Sequence, residues 1–214
     1  MFRSCVRLPT VLGALLLILG VSHSETRAQF EVAPISRVYL DGGLLRPVSP
    51  DGFTRYWKRG NRIRGGIEWQ SPDVFTLRTG LTYSSLLLDR SAVEEDLGGV
   101  PADRTFEDFY YVVELAADVL LHAPSPFEKV TPYAVVGIGF QITDVAELPI
   151  DREIRREDLA AGAGSGLMID AGLGIRHRLS PHVDVFAEGL LVGSFTGGNN
   201  KAYTPLTVGL AVPL

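Results

Sequence analysis

The chain has 214 residues, 46% of them hydrophobic and 21% charged, with 23 glycines and a formal net charge of −5. That length and mixture suit one medium folded unit and exclude a disordered or collagen-like chain, while the acidic balance argues against a nucleic-acid partner. A mean hydropathy of +0.16 is too low for a helical membrane bundle, but a β-barrel shows only alternate residues to lipid, so a membrane is not excluded.

Arg3 and Arg7 precede an apolar run from Val11 to Val21, and the polar SHSETRA that follows places Thr26 and Ala28 where a cleavage site needs small residues. This is the order of a secretory signal, and the run is short for a spanning helix, which needs about 20 residues. The expectation is a signal peptide over 1–28 and one folded domain over 29–214. The sole cysteine, Cys5, lies in the segment to be removed, so no disulfide or cysteine-held metal is expected in the exported chain.

Next come segments with period-two alternation, the mark of β-strands. Val38, Leu40, Gly42 and Leu44 oppose Arg37, Tyr39, Asp41 and Gly43. Ile63, Gly65, Ile67 and Trp69 oppose Arg62, Arg64, Gly66 and Glu68, and after the turn SPD, Phe75, Leu77, Thr79, Leu81 and Tyr83 oppose Thr76, Arg78, Gly80, Thr82 and Ser84. Phe109 to Val119 alternates against Tyr110, Val112, Glu114, Ala116 and Asp118, and Ala134 to Ile142 alternates against Tyr133, Val135, Gly137, Gly139 and Gln141. Leu167 to Ile175 opposes Met168, Asp170, Gly172, Gly174 and Arg176. Val183, Val185, Ala187 and Leu191 oppose Asp184, Phe186 and Glu188 in a less clean phase, and Leu206 to Leu214 opposes Thr207, Gly209, Ala211 and Pro213. The count is eight strands. No helical stripe of useful length competes; residues 151–159, DREIRREDL, read as loop.

The connections alternate in length. SPD, the Pro-rich HAPSPFEKVTP and LSPH are compact, whereas 47–60, 89–104 and 146–164 are longer and polar, with a shorter GGNNK before the last strand. In an up-and-down barrel this gathers the short turns and both termini on one rim and the long loops on the other. A soluble Greek key offers no reason for that parity.

Which face meets water is then decided by the polar row. It holds both signs, Arg62, Arg64, Arg78 and Arg176 against Glu68, Glu114, Asp118, Asp170, Asp184 and Glu188, interleaved with glycines. An eight-stranded bore is only just wide enough for side chains, so a charged lumen needs glycines for room and pairing of its ions. Trp69 and Phe75 at the SPD turn, with Tyr83 and Phe109 at the long loop, fall where interfacial aromatic girdles fall. The prediction is an all-β, eight-stranded antiparallel up-and-down transmembrane β-barrel, apolar row outward to lipid and charged row inward. The competing reading is a soluble lipocalin-like barrel with the apolar row inward around an apolar ligand.

With this pattern, the chain resembles the small bacterial outer-membrane β-barrels of the OmpA/OmpX type over nearly its whole predicted exported length. The closing TVGLAVPL matches that family's C-terminal insertion signal in spacing, through Thr207, Gly209, Val212 and Leu214, although the family usually ends on an aromatic. The resemblance implies outer-membrane location, lipid as surroundings, the barrel-assembly machinery as a partner, a monomer, and an extracellular ligand met through the loops.

Catalysis is weighed against this. Small barrels include lipid-modifying enzymes, in which a serine hydroxyl needs a neighbouring base. His122, His177 and His182 all fall at the short-turn rim, so no enzyme is expected. No histidines sit at metal-ligand spacing with carboxylates, and GAGSG lacks the strand-to-helix context of a phosphate loop. The acidic Glu94, Glu95 and Asp96 are a weak candidate for a divalent cation. No cofactor is expected, and a bore filled with charged side chains leaves small or no conductance.

Overall fold

The computed structural model describes residues 36–70, 75–97, 109–127, 129–145, 164–196 and 199–214. The expected signal peptide, the SPD turn, the charged 151–159 segment and much of the long loops lie outside the described residues.

Eight strands run in chain order: β1 (Arg37–Ser49), β2 (Trp57–Gln70), β3 (Phe75–Leu88), β4 (Phe109–His122), β5 (Val130–Val145), β6 (Gly164–Ser180), β7 (Val183–Thr196) and β8 (Asn199–Pro213). Each pairs antiparallel with its sequence neighbours, and β8 returns to β1, so the sheet closes into a barrel. Closure leaves no free edge and satisfies the ladder within the sheet. The seam holds to its end: Pro213 stands opposite Arg37 in register, and the Leu214 amide donates to the Ser36 carbonyl at 3.1 Å.

The alternation read from the sequence sets the facing. Ile63, Leu81, Val136, Ile138, Ile169, Leu173, Leu206 and Val208 are all more than half exposed on the outer wall, whereas Arg62, Arg64, Arg78, Glu114 and Glu188 are buried inside. The phase that was unclear in β7 is regular along its whole length: Asp184, Phe186, Glu188, Leu190, Val192 and Ser194 all face inward. The apolar members of that run are what blurred it, because Leu190 and Val192 belong to the interior.

Several expected boundaries are corrected. The GGNNK connection does not exist as such, since Asn199, Asn200 and Lys201 open β8; the GAGSG loop gives Gly164, Ser165 and Gly166 to β6; and Thr131 and Pro132 belong to β5 rather than to the turn before it. In each case ladder pairing with a neighbouring strand extends a segment whose own composition reads as turn, the usual tertiary override of local preference.

A further correction concerns helices. Residues 47–60 are not a polar loop: β1 continues to Ser49 and α1 (Asp51–Tyr56) follows, while the start of the next long connection forms α2 (Arg90–Leu97). α1 begins where the Phe53 and Thr54 amides reach the Pro50 carbonyl. α2 is capped by Asp89, whose carboxylate accepts from the Ser91 hydroxyl at 2.6 Å and the Ala92 amide at 3.4 Å, the usual acceptor role of an aspartate at a helix start. Both helices are too short to show a repeated stripe; among the described side chains α1 buries Phe53 and α2 buries Val93. They close the long-loop end of the barrel.

Candidate functional site

The bore is the most distinctive part of the molecule, and it is layered. At its centre Arg64 and Arg78, from adjacent strands β2 and β3, converge on Glu188 of β7. Arg64 donates to Glu188 Oε2 at 2.6 Å, to Asp41 Oδ2 at 2.7 Å and to Asp118 Oδ2 at 3.2 Å. Arg78 meets Glu188 Oε1 at 2.5 Å and Asp118 Oδ2 at 3.0 Å, and the Tyr133 hydroxyl donates to Glu188 Oε1 at 2.8 Å. Both guanidinium groups lie over the Tyr39 ring, at 5.4 and 5.2 Å from its centroid. Charges this deeply buried persist only when their lone pairs and protons are taken up by partners, and both arginines share two acceptors, Glu188 and Asp118.

Toward the short-turn end, Arg176 donates to Glu68 Oε1 at 2.6 Å and Arg37 pairs with Asp184 at 3.3 Å. Toward the other end, Arg62 pairs with Glu114 at 3.2 Å, the Tyr203 hydroxyl donates to Glu114, and Gln141 bonds Ser194. These flanking cations are less completely satisfied than the central ones: Nε and Nη1 of Arg62 and of Arg176 have no hydrogen-bond partner, whereas no nitrogen of Arg64 or Arg78 is left over. Asp170 makes no ion pair among the described residues. It lies beside Asp118 across Gly137, where a Cβ would fall 2.5 Å from Asp118 Oδ1 and 2.7 Å from both Asp170 oxygens.

All ten charged residues singled out from the sequence are therefore inside, and all but Asp170 are joined in ion pairs. The sequence reading missed Asp41, Arg37 and Lys201. Asp41 and Arg37 were visible as members of the inward row of β1; Lys201 was hidden by its assignment to a loop. Also missed were the tyrosines of that row, which offer a hydroxyl to the ions and a ring to fill space. Tyr133 lies across Gly174, its register partner on β6, where any side chain would collide with the ring.

Above the charges the interior becomes apolar. Leu45, Phe53, Trp57, Leu86, Leu88, Val93 and Tyr110 form one buried cluster, with Phe53 and Trp57 packed on Tyr110 at centroid distances of 5.7 and 5.4 Å. The Lys201 ammonium donates to the Tyr110 hydroxyl at 2.7 Å and lies 4.6 Å from that ring's centroid, a cation–π contact. The interior is thus not a salt-bridge network throughout; a plug of Phe53 from α1, Val93 from α2, Trp57 from β2 and Tyr110 from β4 fills its upper part among the described residues.

The plug has an external latch. Arg55 of α1 forms a fork on Asp96 of α2, Nε at 2.9 Å and Nη2 at 2.5 Å, and the Tyr56 hydroxyl donates to the same carboxylate at 2.5 Å. This is where part of the acidic trio goes, and among the described residues no cluster of histidine, cysteine or carboxylate groups is arranged to hold a metal. The Arg55 hydrogen bond, then that of Tyr56, holds the Asp96 carboxyl below its ordinary value of 3.8. A depressed acid contributes its contact fully above the ordinary value and loses it as pH falls through the lower folded one. Asp96→Asn is therefore expected to speed amide hydrogen exchange a few-fold in 51–56 and 90–97 at neutral pH, leaving the strands unchanged. Acidifying the parent protein below pH 3.8 should reproduce that pattern, and unchanged exchange in both would show that the latch holds nothing.

The histidines are at the short-turn end. His122 closes β4 and its Nε2 is 2.9 Å from the Thr76 hydroxyl, while Nδ1 has no partner. Among the described residues no hydrogen-bonding group stands at Nδ1 to orient this ring as a base would require. The C-terminal residues alternate as read: Thr207 and Gly209 inward, Val212 and Leu214 outward.

No family model matches the chain, and no curated protein matches its sequence. Solved structures do match. Neisserial surface protein A aligns with a TM-score of 0.56 at 14% identity, over 83% of this chain and 96% of that one. The N-terminal β-barrel domain of OprF from Pseudomonas aeruginosa aligns over 83% and 98% of the two chains at 15% identity, TM-score 0.44. Ail, the attachment invasion locus protein of Yersinia pestis, aligns over 84% and 99% at 13% identity, TM-score 0.42. Together with the closed antiparallel order of its strands, the likeness to the neisserial protein gives this chain the fold of the eight-stranded outer-membrane β-barrels.

Proposed function

We propose that the protein is an integral outer-membrane barrel with a structural or surface-interaction role, its bore sealed and its working surface at the long-loop end. The observation that carries this reading is the inversion of the sheet: a belt of exposed Leu, Ile, Val and Phe encircles the wall while paired ions fill the interior. Soluble monomers do not expose apolar surface on that scale, and a hydrocarbon surround explains both faces together. Trp69 and Phe75 near the lower rim, with Tyr83, Tyr111 and Phe195 toward the upper one, suit the headgroup levels. Export, insertion by the barrel-assembly machinery and a monomeric state belong to the same reading.

The test is fractionation of cells making the chain: extraction from the outer membrane only by detergent, with a gel mobility that changes on heating, is expected. Recovery as a water-soluble monomer would overturn the reading. Because Trp57, Tyr110, Tyr133 and Arg78 fill the bore, planar bilayers holding the protein should pass little or no current. Large stable single-channel steps would contradict the sealed interior.

A further inference from the structure

On the upper outer wall, where β1, β2, β3 and β8 meet, the surface carries a groove of about 930 Å³. Its apolar side is formed by Val48, Leu87 and Leu206, which are 48%, 44% and 61% exposed. Its polar side is formed by three exposed cations, Arg46, Lys58 and Arg59. Arg46 stands opposite Thr204, two positions above the paired Leu44 and Leu206, and Val48, two positions further along the same face, is the last exposed apolar residue of β1, so the cations lie within the upper edge of the apolar belt. The chain as a whole is acidic at −5, yet no carboxylate is among the described residues that line this groove. Asp89 takes the Lys58 ammonium at 2.9 Å, whereas Arg46 and Arg59 have no ion pair among the described residues.

We propose that this groove binds a phosphorylated, acylated lipid of the surrounding leaflet, its phosphate on Arg46 and Arg59 and an acyl chain along Leu87 and Leu206. The proposal rests on the membrane reading above. Guanidinium forks match phosphate oxygens two at a time, and cations set at the belt's edge meet a headgroup at its own depth. A free anion would gain nothing from the leucines, and a zwitterionic lipid brings its own cation to a site where Arg46 and Arg59 already stand without an ion pair among the described residues. The two arginines are exposed and unpaired among the described residues, so replacing them leaves the barrel's own contacts intact.

The experiment places the full barrel in phosphatidylcholine nanodiscs with and without bis-phosphorylated lipid A, and compares it with Arg46→Gln/Arg59→Gln by native mass spectrometry of retained lipid and by methyl NMR of Leu87 and Leu206. Retention of lipid A by the parent, falling by about tenfold or more in the double variant as expected for the loss of charge-assisted contacts, with methyl shifts in the parent only, is the expected result. Equal retention by both proteins would overturn the proposal, as would its absence from an inserted parent, which leaves the membrane reading standing. Inorganic phosphate giving the same methyl shifts in phosphatidylcholine alone would make this an anion site rather than a lipid site and overturn it too. Failure of the parent to insert would overturn the membrane reading and this one with it.

Discussion

Glu188→Gln is expected to lower the unfolding free energy by about 3–5 kcal/mol, the cost of leaving buried cations without their counter-charge. Glu188 accepts from Arg64, from both terminal nitrogens of Arg78 and from Tyr133, so a neutral amide of the same size removes the charge shared by two guanidinium groups. It also presents an NH2 where one of those donors pointed. Equilibrium urea unfolding of the refolded barrel in lipid vesicles measures the loss. A double-mutant cycle with Arg78→Met should show non-additivity, because removing the cation relieves part of what the amide leaves unpaired. A loss below about 1 kcal/mol, the range of exposed ion pairs, would mean that water or mobility screens the bore and that the network is not closed.

That network explains how much of the architecture was readable from the chain. Period-two alternation is a local property, and in β2 it places Arg62, Arg64 and Glu68 on one side and Ile63 and Ile67 on the other whatever the neighbours do. Both the strands and the contents of the bore follow from it. The choice between an inward and an outward charged face came from the coincidence of both charge signs with glycine in one row, because a wall facing water needs no such spacing. What alternation cannot give is which ions meet. Arg64 and Glu188 are 124 positions apart, and their meeting depends on the stagger of strands around the barrel, a global quantity.

The cap was illegible for a different reason. α1 is six residues long and α2 eight, less than the span over which a 3.6-residue period can be told from chance. Their stability is tertiary: Phe53 and Val93 are buried in the barrel mouth, and the Asp89 amide donates to the Tyr56 carbonyl at 2.7 Å, joining the end of one helix to the start of the other. The local signals present were the Asp89 cap ahead of Ser91 and Ala92 and the acidic Asp51 in the first turn of α1. Lys201 was lost to the same locality, since Gly and Asn beside it read as turn while Ser194 opposite holds it in the ladder.

Ile138→Arg separates the two environments in which such a belt could exist. Ile138 lies at the middle of β5, is 57% exposed on the outer wall and stands between Ala117 and Ile169 in register. In a bilayer its replacement puts a guanidinium near the midplane, with an expected loss of about 2–4 kcal/mol, whereas Leu121→Arg, also outward but one residue from the lower end of β4, should cost about 0–1 kcal/mol because its charge reaches the headgroups. Were the wall wetted, both changes would be ordinary surface substitutions within about 0.5 kcal/mol of neutral. Unfolding of the two variants in the same vesicles reads the difference directly. A clear penalty at Ile138 with little at Leu121 depends on depth, and neither intrinsic strand preference nor loss of one isoleucine contact distinguishes the two positions in that way. Equal values would remove the hydrocarbon from the outside of the barrel, and with it the reason for its charges to be inside.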